Sequence, residues 1–282
     1  MNASAMPTYT VLVDELQIRY ADSGAADGPV ILFTSPWPES MFAFRRVWPA
    51  LAQTGRLVAV DLPGFGHSQG RAELLTPGTM GDFLGRLITE LGLGTPHLVA
   101  PDVGASAALF LAARHPGAIR SLVAGGGGVA YPLDVTGTLA DIIAAPGIEV
   151  FEDQDIRATI GAAVEPAAPH GQEPDVWEDY VSSYENGRFA QSARYVRSYP
   201  EQLAVLGDLL PAIRVPVHVF AAADDPMVPV SDGEYLAERI PDSKLTILPA
   251  SHFAWEEVPE QFAAIVADWV TRAETGTVRS RQ

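Results

Sequence analysis

The chain has 282 residues, of which 48% are hydrophobic and 19% charged, a balance typical of one large globular domain and not of a disordered chain. Its formal net charge of −17 repels phosphate backbones and anionic lipids, so we expect neither nucleic-acid nor membrane partners. The sequence contains no cysteine, which excludes disulfides, thiolate nucleophiles and cysteine-based metal sites.

The N-terminal residues give no sign of export. They contain no basic stretch followed by an apolar core, and no apolar run anywhere in the chain reaches the length of a membrane span. We therefore expect a cytoplasmic protein.

Strands and helices alternate along the first 124 residues. Asp14-Glu15 is a predicted hairpin turn between two short strands, and the later apolar runs are typical of strands buried in a sheet. The predicted strands are 9–13, 16–20, 30–34, 56–61, 97–100 and 119–124, and the predicted helices are 42–52, 79–93 and 103–114. This alternation predicts a mainly parallel sheet with helices on both faces.

The alternation stops near Gly125 and resumes near Pro216. Between them lies no clear buried strand, but several prolines, acids and aromatic residues. We interpret residues 125–212 as a helical cap inserted into a core domain of residues 1–124 and 213–282. The resumed pattern comprises strands 217–221 and 245–248 and helices 232–240 and 259–272.

A five-residue stretch, Ala100-Pro101-Asp102-Val103-Gly104, joins a predicted strand to a predicted helix. A sharp turn of this kind needs small residues two positions before and two after its apex, because larger side chains would clash with nearby backbone. Ala100 and Gly104 meet this need with Asp102 at the apex, where the usual motif, G-x-S-x-G, has a serine nucleophile. The stretch indicates that Asp102 is a nucleophile; the alternative is that it only caps the helix.

An acid and a histidine follow two later strands. Asp225 and His252 each come after a predicted strand, and open parallel sheets gather their functional residues at such strand ends. The order nucleophile, acid, histidine is the order of a hydrolytic triad on this kind of sheet. Asp224 competes for the acid role, but the spacing to Val228-Pro229 favours Asp225.

With these residues the chain resembles the α/β-hydrolase superfamily over almost its whole length. Further matches are the run 61–68, the run 225–229 and the acids Glu256-Glu257 after His252. The resemblance implies a mainly parallel eight-stranded sheet flanked by helices, with an inserted helical cap. An aspartate at position 102 is similar to the branch of epoxide hydrolases and haloalkane dehalogenases.

The region before the first helix is similar to the oxyanion loop of epoxide hydrolases. It carries Pro36-Trp37-Pro38-Glu39-Ser40, followed by Phe42 and Arg45. The resemblance implies that the backbone N–H groups of Trp37 and Val103 are the oxyanion donors. One such donor is worth roughly 3–4 kcal/mol in well-studied enzymes.

The chemistry of a carboxylate suits this branch. A carboxyl group, with a reference pKa of about 4, is ionised at neutral pH without a helping base, and it suits attack on an electrophilic saturated carbon. The attack leaves an ester on Asp102. His252, oriented by Asp225, then activates the water that cleaves the ester.

The resemblance favours an epoxide of a small or medium hydrophobic compound as substrate, with no cofactor and no metal. Trp37, Tyr195 and Phe253 are candidate substrate-binding residues. Tyr195 is a candidate because Tyr195-Val196-Arg197 is similar to the end of the epoxide hydrolase lid, whose tyrosines donate hydrogen bonds to the epoxide oxygen.

Departures from the family pattern indicate a divergent subgroup. Dehalogenases have a halide-binding tryptophan where this chain has Val103, and epoxide hydrolases have a lid tyrosine where it has Val196. The pairs Ser35-Pro36 and Ala100-Pro101 replace the usual His-Gly and Gly-His.

These departures leave alternatives open. One is hydrolysis of a carbon–halogen bond, and another is a ligand-binding protein or a non-hydrolytic enzyme on the same fold. A third is a shifted motif with Ser106 as nucleophile. The expected partner is a small-molecule substrate, and a homodimer is left open.

Overall fold

A computed structural model describes residues 6–167, 171 and 173–277. Within these ranges the chain forms one sheet of eight strands in the order β1-β2-β4-β3-β5-β6-β7-β8. The strands are β1 (Thr8–Val13), β2 (Leu16–Asp22), β3 (Val30–Thr34), β4 (Arg56–Val60), β5 (His97–Pro101), β6 (Ser121–Gly125), β7 (Val217–Ala222) and β8 (Ser243–Leu248).

Only β2 runs against its neighbours: it pairs antiparallel with both β1 and β4, and every pairing from β4 to β8 is parallel. The carboxyl ends of β5, β7 and β8 therefore lie along the same edge of the sheet. The predicted fold, a mainly parallel eight-stranded sheet flanked by helices, is confirmed.

The α-helices in the described ranges are α1 (Trp48–Leu51), α2 (Pro77–Glu90), α3 (Val103–Arg114), α4 (Gly137–Ala144), α5 (Ile156–Val164), α6 (Pro174–Tyr184), α7 (Arg188–Arg197), α8 (Tyr199–Leu209), α9 (Val230–Arg239), α10 (Ala254–Glu257) and α11 (Pro259–Glu274). No helix among the described residues is long and apolar enough to cross a bilayer.

Both faces of the sheet are covered by helices. One face packs against α2, α3 and α9 and the other against α1, α10 and α11, and each interface forms its own apolar cluster. Helix α3 is fully enclosed from Val103 to Ala112. Gly81 on α2 lets the two helices approach closely, because a Cβ added there would lie 2.7 Å from the carbonyl oxygen of Ala107 on α3.

The described residues between β6 and β7 include five α-helices, α4 to α8, and no strand. We call residues 125–212, the predicted insertion, the cap. The predicted hairpin turn is also present, since Asp14 and Glu15 have φ values of 49° and 67° between β1 and β2.

One prediction was wrong in its extent. Residues 42–52 do not form a single helix but a 3₁₀ turn, Met41–Phe44, followed by the short helix α1. Pro49 explains the break, because proline lacks the N–H that would continue the earlier turn and restricts the residue before it. It fits within the first turn of α1 instead.

Candidate active site

The predicted nucleophile stands at a strained turn. Asp102, between β5 and α3, has φ 51° and ψ −127°, a backbone conformation that is rare for residues with a side chain. Its N–H donates to the carbonyl of Gly125 at 3.0 Å. A Cβ added at Gly104 would lie 2.1 Å from Thr34 Oγ1, so a small residue is required where the sequence motif demanded one.

The carboxylate of Asp102 uses its two oxygens differently. Oδ2 accepts the backbone N–H of Trp37 at 2.5 Å, and Oδ1 lies 3.6 Å from His252 Nε2. The side chain makes no capping hydrogen bond to α3, so the reading of Asp102 as a simple helix cap finds no support. Val103 begins α3, where the first N–H groups have no carbonyl partner within the helix.

The acid and the histidine meet as their positions at the strand ends imply. His252 Nδ1 lies 2.8 Å from Asp225 Oδ2. The other carboxylate oxygen of Asp225 accepts the backbone N–H groups of Met227 at 2.9 Å and Val228 at 3.0 Å. These bonds fix the carboxylate towards the ring, whereas Asp224 is exposed.

The charge of His252 depends on its two acidic neighbours. Burial alone would lower the pKa of the imidazole, but hydrogen bonds and charge interactions with Asp102 and Asp225 outweigh it and raise the pKa to about 10. The resting site therefore holds an imidazolium between two carboxylates at neutral pH.

A cavity of about 470 Å³ lies over this triad, between the core and the cap. Among the described residues that line the cavity, Asp102 and His252 are the charged ones, and most of the others are apolar. The core contributes Trp37, Pro38, Pro226, Met227, Ser251 and Phe253, and the cap Gly137, Thr138, Leu139, Ile142, Gln154, Thr159, Ala162, Ala163, Pro166, Phe189, Val196 and Tyr199. Two of the three predicted substrate contacts, Trp37 and Phe253, are thus in the wall.

The third predicted contact, Tyr195, is elsewhere. It does not line the cavity; its hydroxyl donates to the carbonyl of Val103 at 2.8 Å and lies 3.1 Å from Ser106 Oγ. Successive residues of a helix point about 100° apart, so Val196 faces the cavity and Tyr195 faces the core. Tyr199, on the next helix, is the cap tyrosine in the wall.

The rival nucleophile Ser106 lies in the interior. It is completely buried one turn into α3, and its hydroxyl shares hydrogen bonds with Tyr195 and the Val103 carbonyl. The ion-pair partners of His252 are Asp102 and Asp225. This arrangement gives Ser106 neither access to the cavity nor a base.

The cap also holds the side chain of Trp37. The indole N–H donates to Ser192 Oγ at 2.9 Å, and the ring stacks on Phe189 with centroids 5.1 Å apart. Phe189, Ser192 and Tyr199 are not among the site residues predicted from the sequence. Helical spacing in the cap was the available signal, and it does not tell which face meets the nucleophile.

A buried cluster lies behind the loop that carries Trp37. Trp255 donates its indole N–H to Glu39 Oε2 at 2.8 Å, and Arg45 forms a buried ion pair with Glu256. Burial, followed by the charge of Glu256, raises the pKa of Glu39 well above its usual value. Burial and the negative charge of Glu256 thus favour the protonated form of Glu39, since protonation removes one of two negative charges that would otherwise repel each other.

Among the described residues, no group of three or more histidine and acidic side chains is arranged so that it could hold a metal ion.

Comparison with known proteins identifies the fold family. Residues 29–259 match the family model described as the alpha/beta hydrolase fold. A relative from Caulobacter sp. (strain K31), which carries the name of a carbamate hydrolase, RutD, is 30% identical over 92% of this chain and 97% of its own length.

Two solved structures share the fold at lower identity. The haloalkane dehalogenase DbeA from Bradyrhizobium elkani USDA94 is similar with a TM-score of 0.81 and 21% identity, covering 96% of this chain and 99% of its own. The epoxide hydrolase VrEH1 from Vigna radiata has a TM-score of 0.79 and 18% identity, covering 96% of this chain and 100% of its own. The activities named for these three proteins differ.

Proposed function

The chain belongs to the alpha/beta hydrolase fold family, and on that premise we propose that it hydrolyses an epoxide of a small or medium hydrophobic compound through an ester on Asp102. The proposal depends on one observation: the two oxygens of the Asp102 carboxylate have different partners. Oδ2 accepts the N–H of Trp37, whereas Oδ1 faces His252, and Asp102 lines the cavity. One oxygen is held where negative charge is stabilised, and the other is available to attack.

A carboxylate nucleophile favours a saturated carbon, because attack on a carbonyl would give a reactive anhydride and attack on a saturated carbon gives an ester. In ring opening, Asp102 Oδ1 forms a bond to an epoxide carbon while the carbon–oxygen bond of the ring breaks. The released alkoxide takes a proton from Tyr199. Burial and the neighbouring Tyr195 and Asp102 raise the pKa of Tyr199 well above its usual value, so the phenol keeps its proton until an alkoxide forms.

Ester formation then changes the role of His252. The ester has no negative charge, so one of the two interactions that raise the pKa of His252 to about 10 is lost and the pKa falls. The imidazolium returns a proton to the phenolate of Tyr199 and becomes a base. The neutral imidazole takes a proton from water, and the oxygen of that water attacks the ester carbonyl. The ester bond then breaks, and the departing alkoxide takes the proton of the carboxylic acid formed on Asp102. The diol leaves, and the carboxylate of Asp102 is restored.

The cavity supports an uncharged, apolar substrate. The described wall has no lysine or arginine, and a volume of about 470 Å³ lies in the range usual for small-molecule sites. A substrate with carboxylate groups would lose its hydration there without gaining an ionic partner other than His252, whose charge is already matched by two acids.

The residues that line the cavity give less support to hydrolysis of a carbon–halogen bond. A leaving halide needs polar hydrogens in the site, and the indole N–H of Trp37 is already bonded to Ser192. Val103 follows the nucleophile, and its side chain has no polar hydrogen to offer a halide.

The test is isotopic labelling of Asp102. Multiple turnovers of an apolar epoxide, such as styrene oxide, in water enriched in heavy oxygen should put label into the carboxylate of Asp102, measured by peptide mass spectrometry. The variant His252→Gln should accumulate the ester as a mass increase on the same peptide, because its formation does not need the base, and Asp102→Asn should show none.

An active enzyme whose Asp102 stays unlabelled would overturn the ester mechanism. Halide release from haloalkanes without epoxide turnover would favour the dehalogenase instead. Tight binding of the epoxide without turnover, unchanged in Asp102→Asn, would favour a binding protein.

A further inference from the structure

One helix of the cap reaches both residues whose N–H groups are the expected oxyanion donors. Phe189, Ser192 and Tyr195 follow one another at three-residue intervals along α7, a spacing that puts side chains on one side of a helix. The first two contact Trp37 and the third contacts Val103. These three contacts therefore link a single cap helix to both expected donor residues.

The contact with Trp37 fixes its ring from two directions. Ser192 accepts the indole N–H at 2.9 Å while its own hydroxyl donates to the carbonyl of Phe189 at 2.8 Å. The ring of Phe189 stacks on the indole at 24°. Ser192 is 1% and Trp37 7% exposed, so the hydrogen bond is shielded from water and its loss would leave an indole N–H without a partner.

The contact with Val103 fixes the start of α3. Tyr195 donates its hydroxyl to the Val103 carbonyl at 2.8 Å and lies against Ser106 on the next turn. Tyr195 is completely buried, and the ring of Phe65 packs edge-on against it with centroids 5.5 Å apart. The phenol therefore holds the residue whose N–H would face the oxyanion.

We propose that α7 is an oxyanion clamp: Ser192, with Phe189, and Tyr195 are positioning residues that hold the Trp37 and Val103 N–H groups in the geometry that stabilises negative charge on Asp102 Oδ2. The inference rests on the proposed function, because it assumes that an ester forms on Asp102. It adds that the oxyanion site is complete only while the cap is docked on the core.

The clamp acts on one of the two chemical steps. When water attacks the ester carbonyl, negative charge collects on Oδ2, the oxygen that accepts the Trp37 N–H and that the Val103 N–H is expected to meet, and stabilisation of that charge lowers the barrier. In ring opening the same carboxylate loses charge, so weaker donors do not slow it. Loosening the clamp should therefore slow ester hydrolysis selectively.

Single-turnover kinetics of Ser192→Ala and Tyr195→Phe with styrene oxide test this. Ester formation and decay are followed by rapid quench and mass spectrometry of the Asp102 peptide. We expect ester decay to slow by about tenfold in each variant, less than the 10²–10³ reported for removing a donor outright, while formation changes by less than about twofold. The ester should then accumulate in the steady state.

Two variants of the cap serve as matched controls. Ser183→Ala removes a buried hydroxyl that bonds only within its own helix, to the carbonyl of Asp179. Tyr180→Phe removes a buried phenol that bonds the core at Glu256. Both should lower the denaturation temperature as the clamp variants do, yet leave the ratio of the two rates unchanged.

Equal slowing of both steps, or an unchanged ratio in Ser192→Ala and Tyr195→Phe, would overturn the clamp. A second measurement does not depend on the ester: hydrogen exchange at the backbone N–H of Trp37 should speed up in Ser192→Ala but not in Ser183→Ala. If no variant, including His252→Gln, forms an ester, the proposed function fails, and the exchange rate alone decides whether the clamp exists.

Discussion

At the scale of single residues, the site is organised by what each atom of Asp102 already contacts. The oxygen that accepts the Trp37 N–H is held at 2.5 Å, and the oxygen towards His252 is 3.6 Å from Nε2, a longer and weaker contact. That second oxygen is the less restrained of the two. The pKa of His252 depends on this arrangement, because the two side chains that pair with its ring nitrogens, Asp102 and Asp225, are both acids.

Neutralising Asp102 should lower the pKa of His252. In Asp102→Asn the amide carries no charge, so the raised pKa of about 10 should fall by at least about one unit. Titration of the ring signals by NMR measures it. His218 is an internal control, since burial, and not Asp102, lowers its pKa to about 4, and that value should not move.

The same histidine should make stability depend on pH in the alkaline range. Its pKa is raised in the folded state to about 10, so its contribution is fully present below the ordinary value of about 6.5 and is lost as pH rises through the folded value. Wild type should lose a few kcal/mol of unfolding free energy, at about 1.4 kcal/mol per pKa unit, relative to His252→Gln between neutral pH and pH ~10. Urea unfolding at a series of pH values measures it, and parallel curves for the two proteins would refute it.

At the scale of elements, the strand-to-helix turn depends on the neighbouring strand as much as on its own sequence. Gly104 faces Thr34, the last residue of β3, which pairs in parallel with β5. The turn therefore stays sharp only while the residue two positions after the apex has no side chain. The helix that follows is enclosed and cannot shift away.

Gly104→Ala should destabilise the protein by roughly 2–4 kcal/mol, because its Cβ would lie 2.1 Å from Thr34 Oγ1 and overpacked cores tolerate such contacts poorly. Thermal or urea unfolding measures the loss. The double variant Thr34→Ala, Gly104→Ala removes the nearest atom and should recover a large part of it. Loss of the same size in both variants would show that the contact does not matter.

What could be predicted from the sequence depends on how far apart along the chain the interacting residues lie. Asp102, Asp225 and His252 could be found because each follows a strand at a spacing that local backbone geometry dictates. Phe189 and Ser192 could not, because their partner Trp37 lies about 150 residues away, and a helical pattern does not say what its inner face meets. For the same reason Tyr195 was assigned to the substrate.

At the scale of the whole molecule, the cap is joined to the core by a partly buried ion-pair network. Arg19 on β2 donates to Asp61 at 2.6 Å and, through Nη1, to Asp179 on α6 at 2.5 Å. Ser40, in the loop that carries Trp37, donates to the same Asp179. Burial would raise the pKa of Asp179, but hydrogen bonds from Arg19, His67 and Ser40 hold it below its usual range.

Asp179→Asn should weaken the cap–core contact by about 2–3 kcal/mol at neutral pH, since it leaves Arg19 with one buried acid in place of two. The lowered pKa of Asp179 means that its contribution is fully present above the unfolded value of about 3.9 and is lost as pH falls from that value through the lower folded one. Urea unfolding should therefore separate the variant from wild type at pH ~7, and at pH ~3 the difference should be smaller but still present.

Glu178→Gln is the matched control on the same helix. Glu178 pairs with Arg157 on the surface, where ion pairs are screened by water, so its loss should leave the unfolding curve unchanged at either pH. A control that lost as much stability as Asp179→Asn would show that the network is not special.

The triad also determines which molecules should block the enzyme. Two carboxylates around one imidazolium leave the resting site with one net negative charge under an apolar wall. A protonated aliphatic amine of the substrate's size should therefore inhibit competitively, because it fits the cavity and its charge is opposite to that of the site. A carboxylic acid of the same shape should not inhibit, and the contrast between the two inhibition constants would report the charge of the site without any variant.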